Sequence, residues 1–330
     1  MKKIYIEPSS LCNLNCAMCF RNGWINEQQD LMDSMTFDCL FASLCKNVPE
    51  RVTFGGMGEP LLHPQLPVWI SRLHEIGCRT ELITNGTLLD SPLSQELLSA
   101  GVSKVWISMD GFSGYSYKNA RNGAIYDQLV TNILGYNCAR RECGHGELGI
   151  TFVVTNENIA ELACINTFAD QYCVDSINLS HAVPMAPISR EDVLLWDSIP
   201  VGEMRRYCSS STKRQIDHCR FISEENCFVR WDGEVAPCMQ LLHEHHTWFY
   251  KEERRVHRLS FGNVRERPLF EIWSSDAYSQ FRKRVMEFDF PSCIYCDGCD
   301  YRLSNETDCA YNTFPTCGAC FWAQGVVFCP

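Results

Sequence analysis

The chain has 330 residues, 45% of them hydrophobic and 21% charged, with a formal net charge of −11. That size and composition suit a soluble globular protein with room for one large α/β domain and a smaller one, and the acidic balance argues against a nucleic-acid binder. The apolar run after Met1-Lys2-Lys3 is only Ile4-Tyr5-Ile6, too short for a secretion signal, and no window is long enough to span a membrane, so the expected location is cytoplasmic.

Short β-like runs alternate with helical patterns from the start. Lys3–Ile6 reads as a strand, and Thr36–Cys45 as a helix with Phe37, Leu40, Phe41 and Leu44 on one stripe. Arg51–Phe54 leads to a helix over Leu66–Ile76, Thr80–Thr84 to Ser94–Ala100, and Lys104–Met109 to a longer helix near Tyr126–Arg141. Leu148–Val154 precedes Ile159–Tyr172, and Asp175–Leu179 is the sixth strand. Such alternation means a parallel sheet with helical crossovers. Six units fall short of the eight of a closed barrel, so the expected fold is a partial (β/α)6 TIM barrel, with a doubly wound open sheet as the alternative. Either fold puts chemistry on loops at the carboxyl ends of strands.

The expected boundary separates a core at 1–203 from a second domain at 204–330. In "FVRWDGEVAPC", Asp232-Gly233 between two β-like arms predicts a hairpin with a type I′ turn. The run His243-Glu244-His245-His246 after it could bind metal, but its polar surroundings suggest an exposed loop. "PLFEIWSSDAYSQFRKRVMEF" reads as helix, and the Gly/Pro/Cys-rich stretch from Pro291 to Pro330 has too little apolar periodicity to fold without metal staples.

Cysteine occurs 21 times. In a long chain read as unsecreted, with the cysteines gathered towards both ends, metal or iron–sulfur ligation is expected over disulfides. Cys12, Cys16 and Cys19 stand as C-x3-C-x2-C in the loop after the first strand. A structural zinc site would want a fourth ligand, whereas a [4Fe–4S] cluster held by three thiolates leaves one iron open for another molecule. The following strand ends carry "FGGMGEP", "ITNGT" and "WISMDG", with glycines that permit close backbone approach and hydroxyl, amide and carboxylate groups suited to an amino acid and a ribose.

On these motifs the chain resembles the radical SAM enzymes. Cys12, Cys16 and Cys19 match their CxxxCxxC, Gly55-Gly56-Met57-Gly58-Glu59-Pro60 the GGE-type motif, and "ISMDG" a fourth-strand segment of their maturing branches. The resemblance implies that S-adenosylmethionine chelates the open iron. One electron from reduced ferredoxin or flavodoxin then releases a 5′-deoxyadenosyl radical that abstracts a substrate hydrogen. It also implies that the backbone of Gly55–Gly58, with Glu59, holds the methionyl group, that Ser108 and Asp110 face the ribose, and that Met18 or Phe20 packs beside the adenine.

Ten further cysteines (Cys219, Cys227, Cys238, Cys293, Cys296, Cys299, Cys309, Cys317, Cys320 and Cys329) are expected as auxiliary ligands. Cys219-x13-Gly233-x4-Cys238 and Cys293-x2-Cys296 resemble the SPASM module, while the later spacings depart from it. One or two auxiliary [4Fe–4S] clusters are implied, with a zinc site as the alternative. Cys39, Cys45, Cys78, Cys138, Cys143, Cys164, Cys173 and Cys208 read as small hydrophobes in packing.

"VRWDGEVAPCMQLLH", "FGNVRERPLFEIW" and "PTCGACFWAQGVVFCP" resemble the radical SAM maturases associated with tungsten-containing aldehyde:ferredoxin oxidoreductases. That resemblance implies a tungsten oxidoreductase, or its cofactor, as client. The alternatives are a SPASM enzyme that forms a thioether or crosslink in a ribosomal peptide and an anaerobic sulfatase maturase. The latter carry an aspartate after the cysteine corresponding to Cys238, where this chain has Met239. A pure iron–sulfur electron carrier is disfavoured by the three-cysteine motif, since carriers use four cysteines per cluster.

Overall fold

Polar and apolar side chains alternate along the strands, and the helices cover only the apolar face. The structure, a computed structural model, describes residues 1–187, 217–293, 296, 298–312 and 317–325. Strands β1 (Lys3–Ile6), β2 (Arg51–Phe54), β3 (Arg79–Thr84), β4 (Lys104–Ser108), β5 (Glu147–Val154) and β6 (Ser176–His181) run parallel in sequence order. Ile4 and Ile6, Val52 and Phe54, Val105 and Ile107, and Leu148, Ile150 and Phe152 are buried beneath the helix layer. On the opposite face Lys3, Glu81, Trp106, Ser108, Thr151 and Asn178 line a cavity. A closed parallel barrel fills its interior with branched apolar residues; this open one keeps charged and polar side chains among the apolar ones that line its lumen.

The crossovers carry α1 (Ser34–Lys46), α2 (Leu66–Glu75), α3 (Ser91–Ser99), α4 (Gly114–Ala120), α5 (Tyr126–Cys143) and α6 (Ile165–Gln171). Asp33 caps α1 by accepting the Thr36 N–H at 2.7 Å, and Asp90 caps α3 by accepting the Leu93 N–H at 2.9 Å. The predicted helix over Ile159–Tyr172 is interrupted: a 3-10 segment, Ile159–Cys164, precedes α6. Helix α4 has no counterpart in the sequence reading, because "GYSYKNA" is polar and short.

The C-terminal region adds α7 (Arg220–Ser223), β7 (Asn226–Val229), β8 (Val235–Ala236), β9 (His245–Phe249), β10 (Glu252–Val256), α8 (Leu269–Trp273) and α9 (Asp276–Glu287). β7 pairs parallel with β1, with Ile4 opposite Cys227, and β8 returns antiparallel. The main sheet therefore has eight strands in the order β6-β5-β4-β3-β2-β1-β7-β8 and stays open between its ends. The expected boundary at 203/204 lies outside the described residues, but residues beyond it complete the sheet of the core.

Three local expectations change. The hairpin connection spans Trp231, Asp232 and Gly233, closed by Arg230 N–H to Glu234 O at 2.9 Å. Only Gly233 in it is left-handed, at φ +92°, so this is a three-residue turn and not type I′. Ser274 and Ser275 divide the predicted long helix into α8 and α9. The His243–His246 run is no exposed loop: His245 and His246 begin β9, paired with β10, and His243 and His245 are buried. Among the described residues no helix is long and apolar enough to cross a membrane.

Candidate active site

Cys12, Cys16 and Cys19 stand together in the loop that leaves β1, at the carboxyl end of the sheet. Backbone bonds pin this loop to the end of α4 and the residues that follow: Asn15 N–H donates to Asn122 O and Ala17 N–H to Ala120 O, both at 3.1 Å. The Asn22 side-chain amide holds the turn from inside by donating to Cys16 O at 3.0 Å. Donors already point at two of the sulfurs. Leu14 N–H lies 3.5 Å and Asn85 Nδ2 3.9 Å from Cys12 Sγ, and Arg121 Nη1 lies 3.8 Å from Cys16 Sγ. Burial pushes the Cys16 thiol up to about 11, with Arg121 pulling against it and Cys19 and Cys12 reinforcing it. Such thiols stay protonated at neutral pH until a positive centre displaces the proton, which an iron–sulfur cluster does.

The three cysteines share one cavity of about 830 Å³ with Met18, Phe20, Gly56, Met57, Gly58 and Glu59, and with Ser108 on its deeper wall. The three-thiol loop, its N–H donors and this volume fit an open-iron cluster with a small molecule beside it.

The glycine loop is shaped chiefly by protein neighbours. A Cβ at Gly58 would lie 2.1 Å from Ser9 O and 2.5 Å from Leu11 O, so the cysteine loop itself demands glycine there. A Cβ at Gly56 would lie 2.7 Å from Glu7 Cγ, and Met57 N–H donates to Glu7 Oε1 at 3.0 Å. Gly55 sits against Ile83, whose Cβ a side chain at that position would meet at 3.3 Å. Glu59 is turned inward: it accepts from Thr84 Oγ1 at 2.6 Å, Asn85 N–H at 2.8 Å and Leu61 N–H at 3.0 Å. Burial pushes its pKa up against the pull of those donors. Its oxygens are engaged in joining the β2 and β3 loops.

Asp110 also departs from expectation. It is fully buried, its Oδ1 accepts the Val153 N–H at 2.7 Å, and its Oδ2 pairs with Arg121 Nη2 at 2.7 Å. It does not line the cavity, so it is not presented to a ribose there. Burial works against the charge on Arg121, but the Asp110 carboxylate holds it, so a guanidinium stays beside Cys16. Ser108 does line the cavity, with Thr151 Oγ1 donating to its hydroxyl at 3.1 Å. Phe20 makes edge contacts with His245 at 5.4 Å and Trp322 at 6.1 Å, which ties the cysteine loop to the C-terminal region.

The C-terminal cysteines fall into two groups. Burial drives the thiols of Cys219 (to about 12), Cys238, Cys317 and Cys320 upward, and mutual repulsion adds to it: Cys219 feels Cys320, Cys238 feels both, and Cys317 feels all three. Cys293 is pushed up to about 11 by burial, with Cys296, Cys299 and Cys309 as its thiol neighbours. Buried Arg254 stands between the groups, acting on Cys317 and Cys320 of one and Cys293 of the other. Among the described residues no three His, Cys, Asp or Glu side chains are placed to hold a single metal ion. Met239 and Trp322 carry the first group to the wall of the cavity.

Cys227 belongs to neither group. It points from β7 into the helix layer, fully buried, with its sulfur 3.0 Å from Met1 Sδ, while its neighbours Asn226 and Phe228 face the lumen. Strand alternation removes it from the ligand set. Cys329 and Cys208 lie outside the described residues. Of the cysteines read as packing, Cys78 is buried and Cys39 half-buried, but Cys45, Cys138, Cys143, Cys164 and Cys173 are exposed, on the outer faces or ends of their elements. The residues that sequence reasoning missed are Arg121, Glu7 and Trp322. Each carries an ordinary residue type in an ordinary context, and only its neighbours give it a role; Glu7, a carboxylate directly after an apolar strand, was the one visible signal.

Two family descriptions match the chain: the radical SAM superfamily over residues 6–146 and an iron-sulfur cluster-binding domain, SPASM, over residues 219–300. The chain is 31% identical to the tungsten-containing aldehyde ferredoxin oxidoreductase cofactor-modifying protein of Pyrococcus furiosus, in an alignment covering 100% of this chain and 97% of the relative. Among solved structures, native anSMEcpe with bound AdoMet has a TM-score of 0.64 at 16% identity, covering 99% of this chain and 96% of that one. Streptococcus suis SuiB bound to the precursor peptide SuiA also has a TM-score of 0.64, at 15% identity, covering 85% of this chain and 66% of that one. At such identities the two structures speak for the fold. Matched along its whole length, the chain belongs to the radical SAM superfamily and is an enzyme of a [4Fe–4S] cluster and S-adenosylmethionine, with auxiliary iron–sulfur clusters in a C-terminal SPASM domain.

Proposed function

We propose that this enzyme modifies the cofactor of a tungsten-containing oxidoreductase in the cytoplasm. The observation that supports the client is the full-length match to a relative named for that task. When bound, the reduced cluster and S-adenosylmethionine supply a 5′-deoxyadenosyl radical that abstracts a substrate hydrogen. The chain's own residues bind and orient. Cys12, Cys16 and Cys19 hold the cluster, and Arg121 keeps a positive charge against it. The backbone of Gly56–Gly58 faces the methionyl group, Ser108 is offered to the ribose in place of Asp110, and Met18 and Phe20 form the sulfur-and-aromatic wall for the adenine. The lumen beyond offers Thr151, Asn178 and Ser180 as hydrogen-bonding groups, with Lys3, Glu81 and Lys104 on the same walls, which suits a hydrogen-bonding heterocycle.

Cys219, Cys238, Cys317 and Cys320 are assigned to one auxiliary cluster, and Cys293, Cys296, Cys299 and Cys309 to a second. Reduced ferredoxin or flavodoxin is the electron donor. Met239 stands on the cavity wall where sulfatase maturases carry an aspartate, and a thioether there cannot act as a base. That favours the cofactor reading over side-chain oxidation.

The test is a mass measurement on the tungsten oxidoreductase, isolated anaerobically from cells with and without this protein. One sample yields the intact polypeptide mass and the mass of the extracted pterin. The expected outcome is a shift in the pterin alone. A shift in the polypeptide would make this a peptide maturase, and no shift in either would remove the tungsten enzyme as client.

A further inference from the structure

Three buried ionisable groups from distant parts of the chain meet next to the glycine loop. His243, from the segment between β8 and β9, has Nε2 3.0 Å and 2.9 Å from the two oxygens of Glu7 and Nδ1 3.0 Å from Glu27 Oε2. The side chains of His243, Glu7 and Glu27 are 1%, 0% and 4% exposed. A carboxylate at each ring nitrogen requires both nitrogens to carry hydrogen, so the ring is an imidazolium. The indole of Trp24 stacks on it, with centroids 4.4 Å apart. Arg230 Nη1 lies 3.4 Å from Glu27 Oε2, and Arg258 Nη1 3.7 Å from Oε1.

Each partner of His243 belongs to a different wall of the site. Glu7 directly follows β1, accepts the Met57 N–H and fills the space that a side chain at Gly56 would need. Glu27 lies in the cysteine loop and also accepts the Glu244 N–H at 2.8 Å. Ile25 N–H donates to Glu244 O at 3.1 Å, so the end of the cysteine loop is laced directly to the C-terminal segment. Without His243, Glu7 would be a buried carboxylate that has lost its hydrogen-bonded cation and keeps only the more distant charge of Arg230. It would have to turn or take up a proton, and Met57 would lose its acceptor.

We infer that His243 is a positioning residue for the S-adenosylmethionine site: by gripping Glu7 and Glu27 it sets the glycine loop and the cysteine loop at their working separation, so the C-terminal region completes a site whose ligands all come from the barrel. The inference rests on the reading of the cavity as the S-adenosylmethionine site. His243 touches no reacting atom; it acts through Glu7 and Met57.

The experiment uses the full chain, anaerobically reconstituted, with iron content and the S-adenosylmethionine-induced change in the EPR spectrum of the reduced N-terminal cluster as readouts. His243→Ala should retain its iron and need roughly tenfold more S-adenosylmethionine, or more, for the same change, and Glu7→Gln should do likewise. The double variant should be no worse than the poorer single one, because the two residues act through one contact. A merely structural role would lower the melting temperature and leave affinity in the cluster-loaded fraction unchanged. Wild-type affinity in iron-loaded His243→Ala overturns the inference. Should that variant fail to load iron, His243→Gln, which keeps a donor for one carboxylate but no charge, decides: a several-fold loss of affinity relative to wild type supports the inference and wild-type affinity overturns it. A wild-type enzyme with no spectral response would overturn the reading of the cavity and the inference with it, an outcome distinct from a wild type and a His243→Ala variant that respond alike.

Discussion

The two cysteine-bearing regions are held in place by different forces. Around Cys12, Cys16 and Cys19 the chain is anchored before any cluster arrives, by backbone bonds to residues 120 and 122, by Asn22, and by the buried Asp110–Arg121 pair. Around Cys293, Cys296, Cys299 and Cys309 the regular structure among the described residues is a single 3-10 segment, Asp300–Leu303, and arginines do the holding. Arg284 pairs with Asp308, Arg302 with Glu252 and with Cys296 O, and Arg254 Nε donates to Arg302 O at 2.9 Å. A loop on a sheet inherits its geometry from the sheet. A loop that meets only the small β9–β10 sheet, and meets it through side chains, depends more on thiolates gathered on a common centre to stay folded.

The largest effects should separate the regions cleanly. Replacing Cys12, Cys16 and Cys19 together by Ala should abolish 5′-deoxyadenosine release and leave both auxiliary iron content and thermal midpoint near wild type. Replacing Cys293 and Cys296 should cost iron, solubility and thermal stability together. If the two sets of variants lost stability equally, the contrast in anchoring would be wrong. Iron analysis and calorimetry on anaerobic samples decide it.

An effect of intermediate size probes the seam between the regions. The carboxylates hold His243 at a pKa of about 9, against the cost of burial, above its ordinary value of 6.5. Its contribution to stability is therefore complete below pH 6.5 and lost as pH rises through 9, and it amounts to at most about 3 kcal/mol. The difference in thermal midpoint between wild type and His243→Gln should shrink across that interval. A difference that stays constant with pH would mean the ring is not held as a cation.

The smallest effect tests the division of the cysteines themselves. Cys227→Ala should leave iron content unchanged and cost about 1 kcal/mol for the lost packing, whereas Cys219→Ala should remove the iron of one cluster. Iron lost from Cys227→Ala would return that residue to the ligand set.

Much of the barrel was legible because its period-2 strands and apolar helix stripes report a burial pattern that local sequence must satisfy. Lys3–Ile6 and Arg51–Phe54 have the same limits in the structure as in the sequence reading. The same rule, carried one step further, would have placed Cys227 with Ile4 and Val52 on the helix side, had Asn226–Val229 been read as a strand. It was not, because four residues carry too little periodicity to show which element they join. The His243–His246 run misled for a related reason. Polar residues are buried there because partners from β1 and the cysteine loop compensate them, and those partners lie more than 200 positions away in the chain.

By itself the sequence determined the chemistry on offer. Three thiols in one short loop, glycines at the next strand end and a second field of cysteines restrict the cofactors regardless of how the chain packs, since ligand type and local spacing are properties of neighbouring residues. Only the tertiary structure decided how those groups are allotted. It turned Glu59 and Asp110 from ligand contacts into internal braces, placed Arg121 against Cys16, sorted the C-terminal thiols into two groups and set His243 between two carboxylates. Each of these depends on which face of an element meets which neighbour, and burial makes an unpaired charge too costly to leave there.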